Sequence, residues 1–302
     1  MNTLLHTHVE HGSVWMGLLD EVLWQGILDT LKLLPFLFLT YLLMEFIEHR
    51  AADKTRAFRK NAGKLGPFAG GALGAIPQCG FSAAAANLYT GRVIGLGTLI
   101  AVFLSTSDEM LPILISGGIG AGKIFLILGY KVAVGIAVGF AVDFALKLLH
   151  KGGEDINIDE ICDNDNCHCE RGILKSALHH TATITLFVLL ITLAINAAVY
   201  FIGDEHLSAV LYDKPLIGHL IAALFGLIPN CAASVALTTF ATKGLITTGT
   251  MMSGLLSGAG VGVLVLFRMN KHPKENFLVI GILVLSGVLF GLLADVIPFL
   301  TI

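Results

Sequence analysis

Displaced by 152 residues, this chain of 302 falls on itself. The stretch GAIPQCGFS from Gly74 lands on GLIPNCAAS from Gly226, and without a gap Gly97-Thr98 then lands on Gly249-Thr250 and Ser105 on Ser257. The register continues through Phe125 and Phe277, Gly129 and Gly281, Gly135 and Gly287, Gly139 and Gly291, and Asp143 and Asp295. A match at one fixed offset of half the chain means a duplicated unit, so any fold must be built twice.

That unit is too apolar for water. Charged residues make up 14% of the chain and hydrophobic ones 55%, with a mean hydropathy of +0.80, where soluble domains carry roughly 25% charged residues. No Asp, Glu, Lys or Arg occurs in 65–91, 176–203, 215–242 or 244–267. About 20 apolar residues suffice for a helix to cross a bilayer, and a helix satisfies its own backbone polar groups there. The expected class is therefore an all-α polytopic membrane protein, multi-pass in the cell (inner) membrane. A net charge of −3 and a pI near 6.4 supply no basic field for nucleic acid. The start, MNTLLHTHVEHG, lacks the positive region and cleavage site of a secretory signal, so the whole chain is expected in the mature protein. Five cysteines, two of them inside apolar segments, do not make a secreted disulfide framework.

Basic residues in short loops favour the cytoplasm. Residues 49–66 hold Arg50, Lys54, Arg56, Arg59, Lys60 and Lys64 against Asp53 alone, whereas the equivalent loop, 203–214, holds Asp204, Glu205 and Asp213 against Lys214. Equivalent loops thus face opposite sides, and the repeats are inverted. The first long helix, 18–47, then runs inward. Parity closes if 65–90 and 216–241 are re-entrant hairpins broken at Pro77 and Pro229, while 93–118 and 124–149 cross in full. This gives ten membrane segments, both termini outside, and loops 49–66, 150–175 and 268–276 inside. The domains read as a first repeat over 1–150, a cytoplasmic acidic Cys/His loop over 151–175, and a second repeat over 176–302.

Inverted repeats with helices broken at matching places are the architecture of secondary transporters, which bind cargo near the midplane. Pro77-Gln78-Cys79 and Pro229-Asn230-Cys231 place an amide and a thiol at the same point of each half, with Ser82 and Ser234 a turn further on. A plainer alternative is a proline kink in a packed helix. Charges inside a bilayer are costly and mark function by default. Asp108 and Glu109, in STSDEM beside Ser105, fall opposite Gly260 and Val261, so only the first half carries them. Pairing with Lys131, opposite Leu283, is a compatible alternative. Glu45, deep on the first helix, is a further candidate, whereas Asp143 and Asp295 lie near helix ends where a carboxylate reaches water. In the acidic loop, Cys162, Cys167, His168 and Cys169 offer donors for a borderline or soft metal, against the alternative of a solvated linker.

There is no GxxxxGK[ST] phosphate loop, no HExxH and no nucleophilic triad signature, so neither a nucleotide-driven pump nor an enzyme is expected. The duplicated IPQC and IPNC, YLLMEFIEH from Tyr41, STSDEMLP from Ser105 and the Cys/His loop followed by HHT at His179 together resemble the ten-transmembrane heavy-metal exporters, often labelled manganese transporters and distantly grouped with arsenic permeases. The resemblance implies ten segments and metal export; it assigns no residue.

The leading expectation is a secondary transporter exporting a divalent metal cation, Mn²⁺ favoured, by proton antiport. Mn²⁺ prefers oxygen ligands: Asp108, Glu109 and Glu45 supply charge, and Gln78, Asn230, Ser82, Ser234 and Ser105 neutral oxygens, while Cys79 and Cys231 suit a softer ion. No tightly bound cofactor is expected beyond the transported metal. The partners are the lipid bilayer, the metal, a proton or other coupling ion and, as an open option, a second copy of the chain. Two alternatives stand beside it. One is a carrier of an anion, a small carboxylate or a thiol-reactive solute of arsenical type, coupled to a cation gradient. The other is a non-transporting metal sensor, which transport surviving deletion of Asp155 to Glu170 would reject.

Overall fold

The structure, a computed structural model, describes residues 65–76, 79–107, 110–148, 173–202, 215–229, 231–270 and 272–301, with scattered helical positions between 24 and 42. Among these there is no strand. Among the described residues eleven helices are bounded: α1 Gly66–Gly74, α2 Cys79–Thr90, α3 Leu96–Ser105, α4 Met110–Ser116, α5 Ala121–Leu148, α6 Ile173–Ile202, α7 Pro215–Gly226, α8 Cys231–Thr242, α9 Thr248–Ser257, α10 Val261–Met269 and α11 Pro273–Val296. The 152-residue displacement carries α2 onto α8 and α3 onto α9 end for end, and α1, α4 and α5 onto α7, α10 and α11 to within a few residues. The duplication is a property of the structure as well as of the letters.

Packing repeats in the same way. Within the first half α3 lies between α1 and α5; within the second, α9 lies between α7 and α11. Close approach comes from glycine, which lets helix backbones touch. A Cβ at Gly135 would come within 2.8 Å of the Ala101 carbonyl, and one at the equivalent Gly287 within 2.6 Å of the Ser253 carbonyl. The starts of α3 and α9 are held alike: Gly97 N donates to Asp143 Oδ1 at 3.0 Å, and Gly249 N to Asp295 Oδ1 at 2.6 Å. Each carboxylate meets the positive end of a helix dipole. The halves then exchange contacts: α2 packs on α10, α8 packs on α4, and α3 meets α9. A peripheral tie joins them as well, Tyr89 Oη donating to Glu275 at 2.8 Å beside the Arg92–Glu275 ion pair at 3.2 Å.

The helices sort into inner and outer layers. Four stretches among the described residues are long and apolar enough to cross a membrane: Leu96–Ser116, Ala121–Leu148, Thr248–Met269 and Pro273–Val296. Helices α5 and α11 are continuous and turn apolar side chains outward, the equivalent Phe125 and Phe277 being 72% and 66% exposed, as a lipid-facing layer requires. The inner stretches are interrupted. Sequence patterning predicts 93–118 as one full crossing, and Leu96–Ser116 is long and apolar enough for one; within it α3 ends at Ser105 and α4 begins at Met110. The hydroxyls of Ser105 and Thr106 both accept a place on the preceding turn by donating to the Val102 carbonyl, and Thr106 turns to an extended backbone at ψ 128°. In the second half the break falls at Gly258 to Gly260, and Gly260 takes φ 53°, a conformation glycine adopts at little cost.

Candidate functional site

Four interruptions converge. In each half the proline break follows α1 or α7 and the second break follows α3 or α9. Helices α1 and α2, of 9 and 12 residues, reach about 14 and 18 Å at 1.5 Å per residue, so neither alone crosses a hydrocarbon core of about 30 Å. Ser107 Oγ donates to the Ala75 carbonyl at 3.1 Å, joining the two breaks of the first half. Ser257 Oγ donates to the Ala223 carbonyl at 2.6 Å, tying the end of α9 to α7 just before the second proline break.

Between them lies a cavity of about 20 Å³ lined by Thr106 and Ser107 from the first half and by Gly226, Ser234, Gly254, Leu255, Gly258 and Gly260 from the second. A space of that size admits about one water-sized occupant. Three of its lining residues, Thr106, Ser107 and Ser234, bear hydroxyls, and oxygen donors beside interrupted helices are the type that hard cations take. Irregular backbone at this depth is tolerated where it lines such a cavity.

Lys131 reaches the same place. Its side chain is fully buried, and its ammonium donates to the Thr106 carbonyl and, at 2.9 Å, to the Leu255 carbonyl. One cation on α5 therefore clasps the ends of α3 and α9, across the boundary between halves. Asp108 and Glu109 belong to the connection that begins at Thr106.

Of the residues singled out from sequence, Ser234 lines the cavity. Ser105 is buried at the break with its hydroxyl on the Ala101 and Val102 carbonyls. Ser82 is buried on α2, where its backbone lies against Gly262 of the other half. Gln78, Asn230, Asp108, Glu109, Glu45, Cys162, Cys167, His168 and Cys169 fall outside the described residues, as do the side chains of Cys79 and Cys231. No cluster of three or more His, Cys, Asp or Glu is present among the described residues. Sequence reading missed Thr106, Ser107, Gly254, Leu255, Gly258 and Gly260. The STS run and the glycine pair at the matching offset carried a signal for the break; the Leu255 carbonyl carried none.

A helical chain with apolar outer spans, interrupted inner ones and a polar cavity between duplicated halves is a multi-pass membrane protein of transporter build. Residues 29–202 match the model of the family described as "Putative, 10TM heavy-metal exporter", and the chain belongs to that family. No curated protein and no solved structure matches.

Proposed function

We propose that this member of the heavy-metal exporter family is a secondary transporter that moves a divalent cation, Mn²⁺ by preference, outward in exchange for protons, without chemical conversion of its cargo. The observation that carries the reading is the cavity between the halves, lined by the hydroxyl-bearing Thr106, Ser107 and Ser234, the first two of which immediately precede Asp108 and Glu109 in the sequence. Charge supports the coupling. Asp108, Glu109 and Lys131 together carry one net negative charge, and in a medium of low dielectric such a charge calls for a counter-charge. A proton and a metal cation compete for that role, so loading one releases the other. Glu45, Gln78, Asn230, Ser82, Ser105 and Ser234 complete the proposed set around the path, with Cys79 and Cys231 as soft donors and the loop cysteines Cys162, Cys167 and Cys169 with His168 as a cytoplasmic metal-capture site.

The proposed placement is the inner membrane, with inverted repeats, both termini outside, and loops 49–66, 150–175 and 268–276 in the cytoplasm. The basic balance of 49–66 and the acidic balance of 203–214 support it. Lys131 favours a second reading, in which a buried ammonium and the amide ends of half-helices attract an anion or carboxylate while Asp108 and Glu109 bind a coupling cation.

Asp108→Asn tests the leading reading. Cells producing this variant are expected to lose Mn²⁺ resistance while the protein stays in the membrane; full resistance would reject the site. Cys79→Ser with Cys231→Ser is expected to preserve Mn²⁺ resistance, and its loss would assign a thiophilic cargo instead. Binding of oxyanions, with no binding of Mn²⁺, would favour the second reading.

A further inference from the structure

Asp295 and Asp143 perform the same structural task, accepting the backbone N–H at the start of the neighbouring helix at 2.6 and 3.0 Å. Their surroundings differ. Beside Asp295 stands His219 on α7, 1% exposed, with Nε2 3.2 Å from Asp295 Oδ2, and Thr247 Oγ1 donates to the same oxygen at 2.8 Å. At the matching offset the first half has Pro67 for His219 and Gly95 for Thr247. The first half is thus an internal control: the carboxylate cap forms without a histidine, so His219 is an addition that the fold does not require.

The imidazole sits where it can act on the cavity. His219 precedes Gly226 by seven residues, two turns or about 10 Å along α7 on one face. Gly226 lines the cavity, and its backbone lies so near the Gly254 carbonyl that a Cβ could not fit. A rigid helix therefore links the histidine to the cavity wall. Among the described residues the charged surroundings are sparse. Helix α9 has no titratable side chain, α8 has Cys231 alone, and the α8 to α9 connection has Lys243. On α11 the other charges, Lys274 and Glu275, lie about 30 Å away at the far end of the helix. Asp295, with its side chain 27% exposed, gives the buried His219 a neighbour that reaches the surface.

We propose that His219 is a proton-binding site, reached through Asp295, that positions α7 and thereby the second-half wall of the cavity. A proton passed from hydronium breaks its O–H bond, forms an N–H bond on the neutral imidazole and leaves water, so that the histidine and the carboxylate become an ion pair that strengthens the hold of α11 on α7. Histidine is the side chain suited to change charge between pH 5 and 8. The effect on transport rests on the export reading above; the proton site itself does not.

The full-length protein decides both. In detergent, the difference in melting temperature between wild type and His219→Gln is expected to change across pH 5 to 8. In proteoliposomes with equal pH on both sides, Mn²⁺ exchange by the wild type is expected to vary over that range about tenfold more, one pKa unit of linkage, than exchange by His219→Gln, which keeps the dependence that proton competition at the carboxylates gives. Parallel melting curves together with an unchanged pH profile would overturn the proposal. Should the wild type exchange no Mn²⁺, the metal reading fails, and the melting difference alone decides the proton site. His219→Met, read the same way, serves if the glutamine variant does not accumulate.

Discussion

Lys131 is the residue on which both halves lean. Its ammonium gives the end of α3 and the last turn of α9 a shared partner, supplying donors to carbonyls that would otherwise lose them. Lys131→Leu places the side chain that the second half has at Leu283 and leaves both carbonyls buried without that donor, at a cost of about 1 to 3 kcal/mol for each. Thermal unfolding in detergent is expected to show this loss, with partial recovery in Lys131→Arg; an unchanged midpoint would mean the clasp contributes nothing. At this scale the sequence was informative about charge and silent about backbone. A lysine in the run IFLILGYKVAVGIAV announces itself, and so do Asp108 and Glu109. The partners of Lys131 are carbonyls, which every residue has, so no letter marks them. His219 escaped notice for a related reason: its meaning comes from Asp295, 76 positions away, and from the proline that replaces it in the other half.

Helices in this protein are specified by where their glycines touch. Gly135 and Gly287 press on the Ala101 and Ser253 carbonyls, whereas nothing lies within 4 Å of a Cβ built at Gly129 or Gly281. Alanine at either of the first pair is expected to cost about 1 to 3 kcal/mol by forcing α3 from α5 or α9 from α11. Alanine at Gly129 or Gly281 is expected to be neutral or to stabilise by up to about 1 kcal/mol, because glycine is a poor helix former. Four melting curves check this, and equal effects at all four sites would refute the packing scheme. The repeat register was enough to place these pairs, since element bounds recur at the same displacement. The second set of breaks was hidden, because 93–118 carries no proline before Pro112 and a hydropathy average runs smoothly across four polar residues. What ends α3 is the competition of serine and threonine hydroxyls for its own carbonyls, a local effect that periodicity does not register.

At the level of the whole molecule, duplication explains why the cavity is central and asymmetry explains what it could select. Each half lends an arm to the other, α2 to α10 and α8 to α4, so the interrupted inner helices are enclosed by partners from both copies and sheltered from lipid by α5 and α11. The two walls have diverged: the first half supplies Thr106 and Ser107, and the second half Ser234, Leu255 and four glycines, while in sequence only the first half carries Asp108, Glu109 and Lys131 at these offsets. A symmetric pore would have no reason to keep a lysine and two acids on one side only. On the proposed reading cargo passes this cavity, and a bulky side chain there should block it without disturbing the outer layer. The most direct measurement is Mn²⁺ uptake, under an imposed pH gradient, by proteoliposomes carrying wild type or Ser234→Leu, whose added volume fills the cavity. Gradient-driven uptake by the wild type and its loss in a variant that still melts cooperatively is the predicted result; undiminished uptake by the variant, or none by the wild type, would contradict it.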